Sequence, residues 1–401
     1  MFPVDRSVRL IGVFTGLAAL CEAIAFFGAG LYAYEQTHST VSVAIVMASV
    51  ACAETAGAVI GGALADRFDR KRVAALAAIG SAAMLAVLVV GANILWLTVV
   101  MTIATLCASP IRPAISAALP NLVVHDHLDS ANGYVQAWRN AAMTLGPVFV
   151  GVGAGLFGAR GLFVVAAAAL LAGVVVLAGV RGPFHAGRDA SSVEVSDSPF
   201  EGINILFRDR VLGFVVAAGV VSVLTAACGM VADLPYALHD LNLGEAGYGV
   251  LLASWGVGMT GGSLLAPLAI RRLGAPTAFG IALFVEAAGI MGAALFPVSG
   301  IAMTVFVIGG LGGGVGVVAD QLLIQQRVPD GARGRVRAAN DALVSAAYAI
   351  SLGFGGIIVA VLGARGTYAF ASIGCLIAGL LATIALRDHR LGANSVSALH
   401  S

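Results

Sequence analysis

The chain has 401 residues, of which 59% are hydrophobic and 11% charged, with a net charge of +1 and a mean hydropathy of +0.97. A soluble domain carries roughly a quarter charged residues, so a soluble enzyme is excluded. What remains is a polytopic helical membrane protein, because only helices or closed barrels satisfy their backbone within a bilayer.

The apolar residues form long runs, each near the roughly 20 residues a helix needs to cross the hydrocarbon. They predict spans at 9–33, 41–65, 73–91, 95–119, 132–157, 160–180, 211–236, 246–270, 276–296, 299–325, 338–362 and 366–386. Glu22 interrupts the first run and no small-x-small cleavage site follows it, so that run is expected to be a mature helix and not a leader. Turn formers separate the runs, among them Gly91-Ala92-Asn93, Gly158-Ala159-Arg160-Gly161, Pro297-Val298-Ser299-Gly300 and Gly363-Ala364-Arg365-Gly366. Twelve spans place both termini on one side. Of the 22 Lys and Arg residues, Arg112 and Arg139 fall inside spans and Arg160 and Arg365 on one face, which leaves 18 on the other. The positive-inside bias therefore makes both termini cytoplasmic.

An ionisable side chain at bilayer depth is costly and is a functional candidate by default. In chain order these are Glu22 in the first span and Glu54 in the second, which is read either as a proton site or as a packing acid capped by hydroxyls such as Thr55. Next come Arg112 in the fourth span, and Arg139 in the fifth with Gln136 and Asn140 on the same helical face. Asp233 lies near the outer end of the seventh span, Glu286 in the ninth and Asp320 in the tenth. Arg112 and Asp320, 208 positions apart, are rough symmetry mates that either close the cytoplasmic side as an ion pair or snorkel to water. Arg112 with deprotonated Glu22 is the other pairing.

Several features point to bland roles. The five cysteines, Cys21, Cys52, Cys107, Cys228 and Cys375, all fall in spans and read as packing residues. His125 and His127 flank Asp126 in a loop without further ligands, so no metal is expected. The run Gly309 to Gly316 lies in an apolar span, where glycines allow close helix packing and do not cradle a nucleotide. No G-x-x-x-x-G-K-[ST] loop occurs, which argues against ATP-driven transport by this chain alone.

The sequence repeats on itself. Gly61-Gly62-Ala63-Leu64 falls on Gly261-Gly262-Ser263-Leu264, Ala131-Asn132 on Ala339-Asn340, and Gly158 to Gly161 on Gly363 to Gly366, at offsets of 200, 208 and 205. Two pseudo-symmetric six-helix halves follow, residues 1–180 and 211–401, joined by a polar cytoplasmic linker at 181–210.

The stretch Gly62-x-Leu64-Ala65-Asp66-Arg67-x-x-Arg70-Lys71 resembles the signature loop of the major facilitator superfamily. Asp69 stands where the general pattern has Gly, which is similar to the drug-exporter branch that includes macrolide efflux and enterobactin export proteins. Pro113-Ala114 through Asn121-Leu122-Val123, then Ala131-Asn132-Gly133, and Val328-Pro329-Asp330-x-x-Arg333-Gly334-Arg335-Val336 are similar to other connections of that branch. Gly146-Pro147-x-x-x-Gly151 resembles part of its fifth-helix signature, with Ala142 and Val150 departing from it, and implies a helix bend.

The resemblance implies an all-α fold of twelve transmembrane helices. It makes Glu22 the first choice for a proton or cation carrier and places Glu286 on a peripheral helix away from substrate. It docks Asp66 at the start of the eleventh helix near Arg335 or Arg337, with Asp341 opposing. The function expected is export of a small hydrophobic or amphipathic compound by alternating access with proton antiport. The partners expected are a small-molecule substrate, protons and the lipid bilayer of the cell membrane. The chain is expected to act as a monomer, without cofactor, nucleic acid or enzymatic activity. An uptake facilitator or symporter for a metabolite, and a membrane scaffold or sensor, are the competing readings.

Overall fold

A computed structural model of the chain describes residues 6–91, 93–123, 127–181, 184, 201–328 and 332–397. Helices follow one another in the order α1 (Arg6–Thr37), α2 (Thr40–Arg67), α3 (Arg70–Val87), α4 (Ile94–Ala108), α5 (Ile111–Leu122) and α6 (Leu128–Ala178). They continue with α7 (Glu201–Arg208), α8 (Arg210–Ala226), α9 (Gly229–Pro235) extended by a π-helical turn at Tyr236–Asp240, α10 (Gly244–Leu273), α11 (Ala275–Leu295), α12 (Ser299–Arg327) and α13 (Arg333–Ser397). Among the described residues, nine stretches are long and apolar enough to cross a membrane.

Two of those nine are double-length. α6 turns at Gly158 (φ 70°, ψ 167°) and α13 at Gly363 (φ 69°, ψ 174°), each a backbone conformation open to glycine and strained for any residue with a Cβ. Each therefore supplies two spans, and α3, 18 residues long, completes twelve. The fourth span is α4 plus α5, interrupted at Ser109-Pro110 because Pro110 has no N–H to give the ladder. The seventh is α8, α9 and the π-turn in sequence.

Helix starts have local causes. The Asp69 carboxylate accepts a hydrogen bond from the Arg72 amide at 2.8 Å and caps α3, and Asn93 does the same for α4 through the Trp96 amide at 2.7 Å. Asp209 caps α8 through the amides of Val211 (2.9 Å) and Leu212 (3.2 Å).

The helices form two compact units, one of residues 1–195 with 245–253, the other of 196–244 with 254–401. In the first unit glycines let α2 cross close to the fourth span: a Cβ on Gly57 would meet the Ser109 side chain, and one on Gly61 would stand 2.9 Å from Pro110 Cα. In the second unit, Gly258 and Gly262 of α10 likewise come close to α12, each against backbone, at Val307 and Leu311. The structural repeat thus pairs Gly57 with Gly258 and Gly61 with Gly262, one residue off the offset that matching the sequence alone suggests. Both stretches carry two adjacent glycines, so the sequence match is degenerate and the helix crossing decides it.

Most of the expected linker, residues 185–200, lies outside the described residues, but its last part, residues 201–208, is helical. Ile203, Ile205 and Leu206 of α7 pack with Leu212, Val216, Ile324, Val328 and Val336 as part of the second unit's core. A second cluster there joins Val211 and Val215 to Phe279, Leu283, Leu323 and Ala382.

Candidate functional site

The first unit holds a partly open cavity of about 280 Å³ bordered by its first six spans. α1 contributes Thr15, Glu22 and Phe26, α2 contributes Glu54, and α5 contributes Arg112 and Ser116. Gln136 and Arg139 reach it from α6, and Ser81 from α3. Phe26, Leu85, Met101 and Leu170 make its apolar wall.

Four charged side chains line this cavity, two acids and two arginines. Arg139 Nη2 is 3.6 Å from Glu22 Oε1, and their side chains are 20% and 38% exposed, so the pair opens onto the cavity. Glu54 lies within electrostatic reach of Glu22, Arg139 and Arg112. When all four are ionised their charges cancel, which lets so many charges coexist inside an apolar bundle. A single added proton leaves the cluster with a net positive charge and one arginine without its counter-ion.

This pairing depends on how closely α1 and α6 approach. A Cβ on Gly16 would come 3.0 Å from the Trp138 ring of α6, and one on Gly28 would be 3.2 Å from Leu162. Gly146 likewise abuts Ala23, beside Glu22. The helix keeps helical backbone angles through Gly146 and Pro147, and its sharp turn falls at Gly158. Gly146 serves helix contact, as does Gly151, which packs against Gly249 with a built Cβ only 2.8 Å from its Cα. Gln136 Nε2 donates to Asn140 Oδ1 at 2.9 Å, one turn apart on α6.

The signature loop closes one end of the first unit. Arg70 Nη1 donates to the Ala117 carbonyl of α5 at 2.7 Å. Lys71 Nζ donates to the carbonyls of Ala178 (3.1 Å) and Val180 (2.7 Å) and stands 5.7 Å from the Phe184 ring centroid. Gly62 has open space around it and Arg67 is exposed. The Asp66 side chain, and with it the expected docking to Arg335 or Arg337, lies outside the described residues. Arg337 Nε pairs with Asp341 at 3.0 Å, one turn along α13.

The other two acids expected at the cavity belong to the second unit. Asp233 is buried, and Tyr368 Oη donates to its Oδ1 at 2.7 Å. Asp320 lies near buried Asn340 and within electrostatic reach of Arg337 and Asp341. His125 and Asp126 lie outside the described residues, and no cluster of metal-ligating side chains occurs among those described.

The sequence reading did not single out the hydroxyls that border the cavity, Thr15, Ser81, Thr105, Ser109 and Ser116. Their signal was a polar atom on an apolar span. A hydroxyl in a membrane helix is readily satisfied by its own backbone, as Ser109 is by Leu106 O at 2.8 Å, so that signal does not discriminate. Thr15 Oγ1 differs, being buried without a hydrogen-bond partner among the described residues.

Solved structures share this fold. The nucleoside transporter NupG aligns with a TM-score of 0.79 at 12% identity, covering 95% of this chain and 99% of that one. A bacterial homolog of the human lysosomal transporter Spinster, in an inward-facing and occupied conformation, aligns with a TM-score of 0.75 at 13% identity, covering 95% and 96%. In sequence, the chain is 26% identical over 375 residues to the uncharacterized MFS-type transporter YfiS of Bacillus subtilis (strain 168), covering 86% of this chain and 84% of that one. The model of the Major Facilitator Superfamily matches residues 11–235 and 229–398. Twelve spans in two repeated sets of six and a match over nearly the whole length establish the chain as a multi-pass membrane transporter belonging to the major facilitator superfamily.

Proposed function

We propose that this transporter exports a small hydrophobic or amphipathic compound by alternating access, driven by proton antiport through the Glu22–Glu54–Arg112–Arg139 cluster. The observation that carries the reading is a charge-balanced set of two acids and two arginines inside a cavity whose remaining wall is mostly apolar, with a few hydroxyls. With Glu22 ionised, Arg139 is held and the cavity is neutral. A proton on either acid breaks that balance and sets an arginine free, so proton loading and rearrangement of the cavity are linked. An acid that alternates between these states is suited to carry a proton one way while substrate moves the other. The apolar wall suits an uncharged or amphipathic solute better than a phosphate or sugar.

A second reading, uptake of a metabolite by symport, is favoured by the two arginines, which offer a guanidinium fork to an anionic group. The fold is also shared with a protein named as a nucleoside transporter.

The test is accumulation of a panel of dyes and antibiotics in cells expressing the wild type, Glu22→Gln or Glu54→Gln, with and without a proton uncoupler. Wild-type cells are expected to hold less of at least one compound, with the difference abolished by the uncoupler and reduced at least tenfold in Glu22→Gln. Extrusion that ignores both the uncoupler and Glu22→Gln refutes proton antiport. Higher accumulation in wild-type cells than in cells without the protein refutes export in favour of uptake.

A further inference from the structure

One helix is shared by the two units. Residues 245–253 of α10 belong to the first unit, and the same helix continues from residue 254 in the second. Any movement of one unit against the other must therefore bend α10 at that point or lift its first turns off the first unit.

Those first turns are docked by backbone. A Cβ on Gly151 of α6 would stand 2.8 Å from Gly249 Cα and 2.9 Å from Ala246 O, and one on Gly249 would stand 2.6 Å from Pro147 O. α1 runs along the same part of α6 and in the same direction, since Gly16 meets Trp138 and, further on, Ala23 meets Gly146. The end of α1 and the start of α10 consequently reach the same stretch of α6, on the face opposite the signature loop. There Glu35 of α1 lies within electrostatic reach of Glu245, in the first turn of α10.

Two carboxylates brought together oppose each other's ionisation. The N-terminus of α10 favours negative charge on Glu245, which leaves Glu35 to take a proton. Few other groups could answer the pair. Tyr34 and His38 lie beside Glu35 on α1, and Tyr248 follows Glu245 on α10. Arg160, beside the turn of α6, is held on Tyr32, donating to its hydroxyl at 2.8 Å and standing 5.4 Å from its ring centroid. Asp240, before the start of α10, is within electrostatic reach of Arg365 and His239. Among the described residues, no basic side chain ion-pairs with Glu35 or Glu245.

We propose that Glu35 and Glu245 form a proton-binding pair that docks the start of α10 on the first unit, so that docking takes up one proton and loosens when both acids are ionised. The proton comes from the solution on that face, bridges the two carboxyls as an O–H donating to a carboxylate oxygen, and returns when α10 lifts. The pair is separate from the Glu22–Glu54 cluster in the cavity and goes beyond the exporter reading. One proton taken up on docking raises the docked-to-lifted ratio as pH falls, by up to about tenfold per pH unit.

The test is double electron–electron resonance on full-length protein in lipid nanodiscs, with the five native cysteines replaced and nitroxides on Ile45→Cys of α2 and Val250→Cys of α10, both exposed positions. In the wild-type background the short-distance population should grow as pH is lowered through the carboxyl range. In Glu35→Gln and in Glu245→Gln an amide donates to the remaining carboxylate without an added proton, so the docked population should dominate at every pH. A distance distribution indifferent to pH in the wild-type background, or the same pH response in both Gln variants, overturns the proposal. So does a docked population that shrinks in both variants at neutral pH, which would mean that the ionised acids hold the helix down. A response abolished by Glu22→Gln or by His38→Gln, and kept in the two Gln variants, overturns it in favour of the cavity cluster or the imidazole. None of these readings needs a substrate, so the pair stands or falls apart from the direction of transport.

Discussion

Asp209 shows how one carboxylate organises a helix end. It caps α8 and also holds Arg327 at the end of α12, with Arg327 Nη1 donating to Oδ2 at 3.0 Å. Burial pushes its carboxyl up, but the Leu212 amide and the Arg327 side chain outweigh that and hold it below the usual carboxylate range. A lowered folded-state value means that the stabilisation is fully present above the ordinary pKa and is lost as pH falls through the lowered one. Asp209→Ala should therefore cost about 1 kcal/mol at neutral pH, the worth of an N-cap, and a thermal melt followed by size-exclusion chromatography measures it. The gap between variant and wild type should narrow as pH is lowered into the acid range; a constant gap would mean that packing, not charge, is at stake. At this scale the sequence was informative about identity and poor about partnership. Glu22 stands out as an acid in an apolar run, whereas its pairing with Arg139 is set by the rotational phase of α1 against α6, through contacts such as Gly16 on Trp138, which no local pattern encodes. Asp69, a departure from the general signature when read as sequence, has a local reason as the cap of α3.

At the level of helices, adjacent glycines play unequal parts, and the difference is testable. A Cβ on Gly61 would stand 2.9 Å from Pro110 Cα and one on Gly262 would collide with the Leu311 backbone, while neighbouring Gly62 has nothing within 4 Å and Gly261 meets only Leu311 Cδ2 at 3.3 Å. Backbone cannot rotate away as a side chain can, so Gly61→Ala and Gly262→Ala should each cost about 1–3 kcal/mol, the usual penalty of overpacking. Gly62→Ala and Gly261→Ala should melt close to wild type. Equal melting of all four variants would refute the crossing geometry and the pairing of Gly57 with Gly258 that rests on it. The spans themselves were legible because a 20-residue apolar run has few alternatives. The helix at 201–208 was not, since two turns with apolar residues at Ile203, Leu206 and Phe207 inside a polar stretch resemble any solvated connector until a core is there to receive them.

Across the whole molecule, the repeat places equivalent turns on one face of the membrane, and the Lys/Arg bias predicts which face that is. Six spans per half return the chain to the side where it began, so the turns at Gly158 and Gly363 share a face with those at Asn93 and Phe296–Val298. The basic residues on that face do not contradict the bias, because they have structural work to do. Arg160 Nε donates to Tyr32 Oη at 2.8 Å, and Arg365 Nε donates to the Ala294 carbonyl at 2.9 Å, each beside the glycine that turns its double-length helix. A guanidinium spent on such a contact ties two helix ends together, whereas the signature loop gathers Arg67, Arg70, Lys71 and Arg72 within six positions on the opposite face. The bias therefore predicts that Val298 faces outward and Leu273, before the turn at Gly274, faces the cytoplasm. Both are exposed, at 56% and 47%, and suit single-cysteine labelling once the five native cysteines are replaced. A membrane-impermeant maleimide should label Val298→Cys in intact cells and Leu273→Cys only after permeabilisation. The opposite pattern would invert the topology, and labelling of both from outside would contradict a span between them, since α11 lies between the two positions.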